Sequence, residues 1–182
     1  MDSLLLHVCC APDGTVPWEA LRDEGYDVTP YWYGANIFPE DEERRRREAL
    51  LALCRVMGRE PVLGGTPPDG WETAVRDLAA EPEGGRRCAL CFALQLDGAA
   101  EAAEKLGIGL LCTTLTISPH KDAALINRIG AEAASRRGLR WLERVFRKGN
   151  GFVRSVARWK AMGLYRQTYC GCRYSIRTEV RT

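Results

Sequence analysis

Six of the eight cysteines of this 182-residue chain stand in three short blocks: Cys9-Cys10 directly after His7-Val8, then Cys88-Ala89-Leu90-Cys91, then Cys170-Gly171-Cys172. A fold that uses these sulfurs together must bring the beginning, middle and end of the chain to one spot. Scattered thiolate clusters gathered in that way are how proteins build iron–sulfur or mixed metal sites, so the pattern predicts a metalloenzyme. Each block alone says less. A CxxC pair also suits a redox dithiol or half of a zinc site, and adjacent cysteines bond to each other with difficulty. Cys54 and Cys112 lie inside the apolar runs Ala-Leu-Leu-Ala-Leu-Cys and Gly-Leu-Leu-Cys-Thr and read as small buried hydrophobes.

Between the blocks, strands alternate with helices. Residues 4–8 form an apolar run ending at the first cysteines, and 16–22 suits a helix with a proline in its first turn and Gly25 to close it. Residues 27–33 are rich in β-formers and lead into a loop over 34–39, after which 40–57 reads as a long amphipathic helix stopped by Gly58. A short strand at 61–63, a loop over 64–70 and a helix over 71–80 follow. Residues 86–106 make the next long helix, with Cys88 and Cys91 in its first turn, and 108–116 is the clearest buried strand. Ser118, with Pro119 behind it, is expected to cap another helix. Residues 140–145 complete the strands and 152–162 the helices. This order predicts a Rossmann-like α/β fold, a mostly parallel sheet with helices on both faces. Ligands bind such sheets beyond the carboxyl ends of the strands, so Cys9, Cys10, Asn36 and residues 118–121 should meet at one edge. Residues 1–182 are expected to form a single domain, with a basic helical part from about 146 to 182 completing the metal site.

The net charge of +2 conceals an uneven division. Residues 120–182 hold 15 Lys and Arg against 4 Asp and Glu, whereas residues 1–119 hold 11 against 20. Within the densest stretch, Arg144, Arg147, Lys148, Arg154, Arg158 and Lys160 are opposed only by Glu143. Such a stretch can follow a phosphate backbone, although a solvated helix face gives the same pattern. No apolar run nears the ~20 residues of a membrane helix, and the N-terminus lacks the basic flank of a signal peptide. A cytoplasmic location without a membrane partner is the expectation. In that reducing setting cysteines serve metals or catalysis more than disulfides.

A thiol in a first helical turn, behind Arg86 and Arg87, faces positive potential that favours the thiolate a metal requires. Asp13 offers a harder oxygen ligand beside Cys9 and Cys10, while Asp13-Gly14 also fits an ordinary turn. Six thiolates and a carboxylate exceed the four protein ligands of one zinc or one [4Fe–4S] cluster. Two metal centres, or one cluster plus a separate thiol pair, both satisfy that count.

The blocks His7-Val8-Cys9-Cys10-Ala11-Pro12 and Cys88-Ala89-Leu90-Cys91-Phe92, the run Thr113-Thr114-Leu115-Thr116-Ile117-Ser118-Pro119-His120-Lys121, and the closing Tyr169-Cys170-Gly171-Cys172 together resemble the QueH family of epoxyqueuosine reductases. They occur in order across nearly the whole chain. The resemblance implies a nucleotide α-hydrolase-like fold carrying a [4Fe–4S] cluster and an adjacent mononuclear metal ion, iron, without cobalamin. It implies reductive removal of the epoxide oxygen from epoxyqueuosine at the tRNA wobble base. Cys9, Cys10, Asp13, Cys88, Cys91, Cys170 and Cys172 would then be the ligands, and Asp13, His120 and Lys121 the groups at the reacting centre. The partners would be tRNA, through its anticodon stem-loop, and a low-potential donor such as ferredoxin or flavodoxin. The six basic residues named above would hold the phosphates, and Tyr31, Trp32, Tyr33 and Phe38 are candidates to receive the extruded base. Two rival readings stand beside this one. An ATP-using tRNA-modifying enzyme would want a Gly-rich phosphate loop where this chain has Cys-Cys-Ala-Pro-Asp-Gly. A zinc-stabilised RNA-binding module would use four of the cysteines structurally.

Overall fold

Leu4, Leu5 and Leu6 expose no surface. A strand apolar on both faces belongs in the middle of a sheet covered twice, and the computed structural model, which describes residues 2–64 and 68–176, places it there. The strands β1 (Ser3–His7), β2 (Asp27–Trp32), β3 (Val62–Leu63), β4 (Leu110–Thr113) and β5 (Arg140–Trp141) form one sheet, every pair parallel, in the order β3-β2-β1-β4-β5. The helices between them are α1 (Ala11–Asp23), α2 (Glu40–Met57), α3 (Pro68–Val75), α4 (Arg86–Lys105) and α5 (Ala123–Ser135), with α6 (Gly151–Ala161) after the last strand.

Alternation along β1 distributes its side chains between two cores. Leu5 joins Leu111, Leu96, Ala99 and Ile126 under α4 and α5, while Leu4 and Leu6 join Trp18, Leu50 and Leu53 under α1 and α2. The chain builds outward from β1 to β2 and β3, then returns to β4 on its other side. That reversal opens a crevice beyond the carboxyl ends of β1 and β4. No described helix is long and apolar enough to cross a membrane.

Several boundaries differ from the sequence expectation, and two of them shape the crevice. Helix α1 begins at Ala11 rather than near residue 16, because Pro12 fits a first turn where its missing N–H is not needed. Asp13 and Gly14 are therefore helical, not a turn. A Cβ on Gly14 would lie 3.0 Å from Val8 and 3.1 Å from Leu53, so its absence lets α1 pack closely. At the other lip, residues 118–122 are not helical: Pro119 and His120 form a turn and Lys121 a bend between the extended Ser118 and Asp122. Helix α5 starts at Ala123 and is capped by Asp122, whose carboxylate accepts from the N–H groups of Ala124 (2.9 Å) and Leu125 (3.1 Å). Elsewhere β4 stops at Thr113 and runs into a 3₁₀ turn (Leu115–Ile117), and β5 has only two residues. Of the loop expected over 64–70, residues 65–67 lie outside the described residues, and α3 already begins at Pro68.

Candidate metal centre

The end of β1 delivers Cys9 and Cys10 to the crevice, the first turn of α1 delivers Asp13, and the first two turns of α4 deliver Cys88 and Cys91. Cys170 and Cys172 arrive from the C-terminal segment. All seven line one cavity of about 650 Å³, its open mouth included, together with Asn36, Arg46, Trp71, Gln95, Lys121 and Gln167. The C-terminal part from 146 on thus adds Gln167 and two cysteines to the wall, residues 177–182 lying outside the described ones. All eight cysteines are free thiols.

The tightest group is Cys9, Cys10 and Asp13, whose donor atoms all lie within 4.8 Å of one another. The Cys9 and Cys10 sulfurs are 3.9 Å apart, and the Cys9 thiol reaches Asp13 Oδ2 at 3.5 Å. Cys10, hydrogen-bonded to Cys9, lowers the pKa of the Cys9 thiol, while the same contact, followed by burial, raises that of Cys10. The two thiols therefore titrate as one pair. Thr114, the residue after β4, steadies it: its hydroxyl accepts the Cys9 N–H at 3.2 Å and donates to the sulfur at 3.6 Å.

N–H groups surround other sulfurs. Cys91 receives the Trp71 indole (3.3 Å) and the Gln95 amide (3.0 Å), Cys88 the Gly84 backbone (3.2 Å), and Cys10 the Gln167 amide (2.9 Å). Burial pushes the Cys91 thiol up to about 12 against the pull of those donors. Donors aimed at sulfur stabilise thiolate charge, an arrangement suited to a soft cation.

The two expected acids separate. Lys121 lines the cavity, whereas His120 is exposed and absent from its wall. Burial alone would lower the lysine pKa, yet the Cys170, Cys9 and Cys10 sulfurs and the Asp13 carboxylate raise it, so the ammonium is retained. Arg147 grips this lip, its Nη1 donating to the carbonyls of Ser118 (3.2 Å) and Lys121 (2.8 Å). Arg144 is paired with Glu24 at 2.8 Å and Arg158 with Glu19 at 2.8 Å, leaving Lys148, Arg154 and Lys160 as exposed charges.

The aromatic candidates divide as well. Tyr31, Trp32 and Tyr33 are 3–4 % exposed and belong to the cores, so they present no face to an incoming base. Burial of β2 on both faces accounts for this. Phe38 is 40 % exposed, with the Arg173 guanidinium 4.4 Å over its ring. His7 is fully buried, its Nδ1 2.9 Å from Thr113 Oγ1, and burial lowers its pKa to about 3, so it is a neutral packing residue.

Arg46, Gln95 and Gln167 were not anticipated. Gln95 carried a signal, standing one helical turn after Cys91 on the same face. So did Arg46, which shares the face of the apolar positions Leu50, Leu53 and Met57. Gln167 carried none.

The family profile of epoxyqueuosine reductase QueH matches residues 4–178. The epoxyqueuosine reductase QueH of Streptococcus pyogenes serotype M1 is 38% identical, over 97% of this chain and 71% of that protein. That of Thermotoga maritima is 34% identical, over 97% and 91%. Among solved structures, the U34-tRNA thiolase NcsA from Methanococcus maripaludis, with its [4Fe-4S] cluster, superposes with a TM-score of 0.57 at 10% identity, covering 97% of this chain and 61% of that one. A predicted subunit of tRNA methyltransferase from Methanocaldococcus jannaschii gives 0.52 at 10% identity, over 87% and 75%. At that identity these two establish the α/β fold alone.

Proposed function

The chain belongs to the epoxyqueuosine reductase QueH family, and from that premise we propose that it converts epoxyqueuosine to queuosine at the tRNA wobble position with a [4Fe–4S] cluster and an adjacent iron. The convergence of six cysteine side chains and Asp13 on one cavity wall carries this reading. The donor set fits both groups. Cys88, Cys91, Cys170 and Cys172 line the cavity and would supply the four thiolates a cubane takes, and Cys9, Cys10 and Asp13, a compact sulfur and oxygen group, would hold the second metal. So bound, the metals supply low-potential electrons and a Lewis-acid position for an oxygen atom.

The reaction breaks both epoxide C–O bonds and leaves an alkene and water, taking up two electrons and two protons. Lys121 Nζ holds a proton at the cavity wall and is the acid for the departing oxygen. Asn36 offers an amide at the same wall to orient the ring that carries the epoxide. Phe38, 40 % exposed and next in the chain to the lining residues Asn36 and Ile37, is the aromatic ring left for the extruded base, on the face opposite Arg173. Lys148, Arg154 and Lys160 are the exposed cations for the anticodon phosphates, with Arg144 and Arg158 able to join by exchanging their carboxylates for phosphate. The electrons come from a low-potential carrier of the ferredoxin or flavodoxin class, in the cytoplasm.

Anaerobic reconstitution with iron and sulfide, followed by incubation with epoxyqueuosine-bearing tRNA and a low-potential reductant, tests this. Brown protein that removes one oxygen from the nucleoside is expected. Colourless protein holding only zinc, which leaves the nucleoside mass unchanged, refutes it.

A further inference from the structure

Glu42 and Arg46 form an ion pair on α2 whose side chains are each only 2% exposed. Taking both charges out of water is costly, and such pairs seldom add stability over apolar packing. The use of this one lies in what else it holds. Arg46 Nε donates to Glu42 Oε1 at 2.7 Å, which leaves the rest of the guanidinium to face the C-terminal segment. There Nη1 donates to the carbonyl of Cys170 at 2.9 Å and Nη2 to that of Tyr169 at 3.1 Å, with the Tyr169 ring 5.0 Å from the guanidinium carbon. Glu42 is steadied in turn by the Tyr165 hydroxyl at 2.7 Å and by Arg45 at 2.9 Å. The next carbonyl, that of Gly171, accepts the Phe38 N–H at 2.9 Å.

Three successive carbonyls, 169 to 171, are thus held from outside the cysteine block while Cys170 and Cys172 line the cavity. Gly171 fits the clamp. Its φ is +142°, and a Cβ there would lie 3.0 Å from Arg46 Nη1. Arg46 itself reaches the cavity wall, its charge balanced by the Glu42 carboxylate.

We propose that the buried Glu42–Arg46 pair is a positioning device that grips the backbone of Tyr169 and Cys170, so that the third cysteine block meets the second at the metal centre. The inference rests on the metal-centre reading above and adds to it the residues that shape one of its ligand loops. A fork of two N–H groups on two adjacent carbonyls fixes both peptide planes, which a lysine point charge does not. Removing the guanidinium would leave the Glu42 carboxylate unbalanced and so disfavour the more negative, reduced state of whatever the thiolates hold.

The test uses the full chain as wild type, Arg46→Gln, Arg46→Lys and Glu42→Gln, each reconstituted anaerobically and examined by chelator competition, spectroelectrochemistry and thermal melting. Arg46→Gln is expected to hold iron about 10–100-fold more weakly, the scale on which partners of ligating groups act, and to shift the midpoint potential of the remaining centre downward. Arg46→Lys should recover the potential but not the affinity. Affinity and potential equal to wild type in both, with only a lower melting temperature, overturn the inference while leaving the metal centre intact. Should Arg46→Gln not fold, Glu42→Gln, which leaves the guanidinium without its counter-charge, is expected to weaken iron binding and to shift the potential upward, and affinity and potential equal to wild type again overturn the inference. A wild-type chain that takes up no iron overturns both readings.

Discussion

Arg147 stands in the basic stretch that the sequence assigns to phosphate, yet its guanidinium is turned onto the lip that carries Lys121. Nη1 donates to two carbonyls, those of Ser118 at 3.2 Å and Lys121 at 2.8 Å. Arg147→Met keeps much of the stem and removes both bonds. A hydrogen bond from a charged donor contributes about 1.5–3 kcal/mol when buried. Arg147 is half-buried, so roughly half of that for each bond gives a loss of about 1.5–3 kcal/mol. For a chain of this size the melting temperature should fall by roughly 3–12 °C. The larger effect falls on the reaction. Residues 118–122 are not helical and take their shape from this grip and from the Asp122 cap. Released, the Lys121 ammonium wanders by an ångström or more, which costs on the order of 10²-fold in rate. Single-turnover rates and tRNA binding measured across a salt series separate the possibilities. The expected result is a large fall in kcat with KM for tRNA and the salt slope unchanged. A phosphate contact behaves in the opposite way, weakening binding and lowering the slope by about one with kcat preserved. That second outcome would refute the reasoning.

Lys148→Ala, Arg154→Ala and Lys160→Ala should each lower the salt slope of tRNA binding by about one, as filter binding between roughly 50 and 200 mM salt would show, whereas Arg144→Gln and Arg158→Gln should change it less because their charges already face Glu24 and Glu19. Lys121→Met should lower kcat by about 10²–10⁴-fold, the range for loss of a general acid, with tRNA affinity retained; an unchanged rate removes Lys121 from the mechanism. Burial pushes the Cys112 thiol up to about 12 from its ordinary 9.0, so the folded state keeps a proton that the unfolded chain releases. Stability should therefore fall by up to about 1.4 kcal/mol for each pH unit between 9 and 12, and Cys112→Ala should flatten that slope in urea titrations at pH 8 and 10. Gly130→Ala drives a Cβ into the Trp141 ring, which its indole N–H ties to Asn127 Oδ1 at 3.1 Å, so a loss of about 1–3 kcal/mol is expected and an unchanged urea midpoint counts against that packing.

The parts of the fold that could be read in the sequence are those decided by neighbours along the chain. The apolar run that begins at Leu4 reads as the first strand and lies in the middle of the sheet, and α2 ends where Gly58 adopts the left-handed conformation that closes a helix. The misreadings arise where two local signals compete and a distant contact chooses between them. Ser118-Pro119 and Asp122 are both plausible helix starts. The turn between them is held by Arg147, whose partners lie 29 and 26 positions earlier, and no local pattern encodes that reach.

The site divides along a chemical line. Cysteines and a carboxylate near a soft metal must be those residue types, so their positions stand out from the background composition. The groups that hold them need only donate an N–H, and an arginine, glutamine, tryptophan or backbone amide serves equally. Gln167 is therefore invisible in sequence, although it contacts Cys10 at 2.9 Å. Arg46 is a sharper instance, because the charged run over residues 40–48 reads as a solvated face. Only the periodicity betrays it: Glu42, Arg46, Leu50, Leu53 and Met57 share one stripe, and all five are buried. A charged pair in phase with an apolar stripe has to be paid for by something the helix faces, and here that something is the backbone of the third cysteine block.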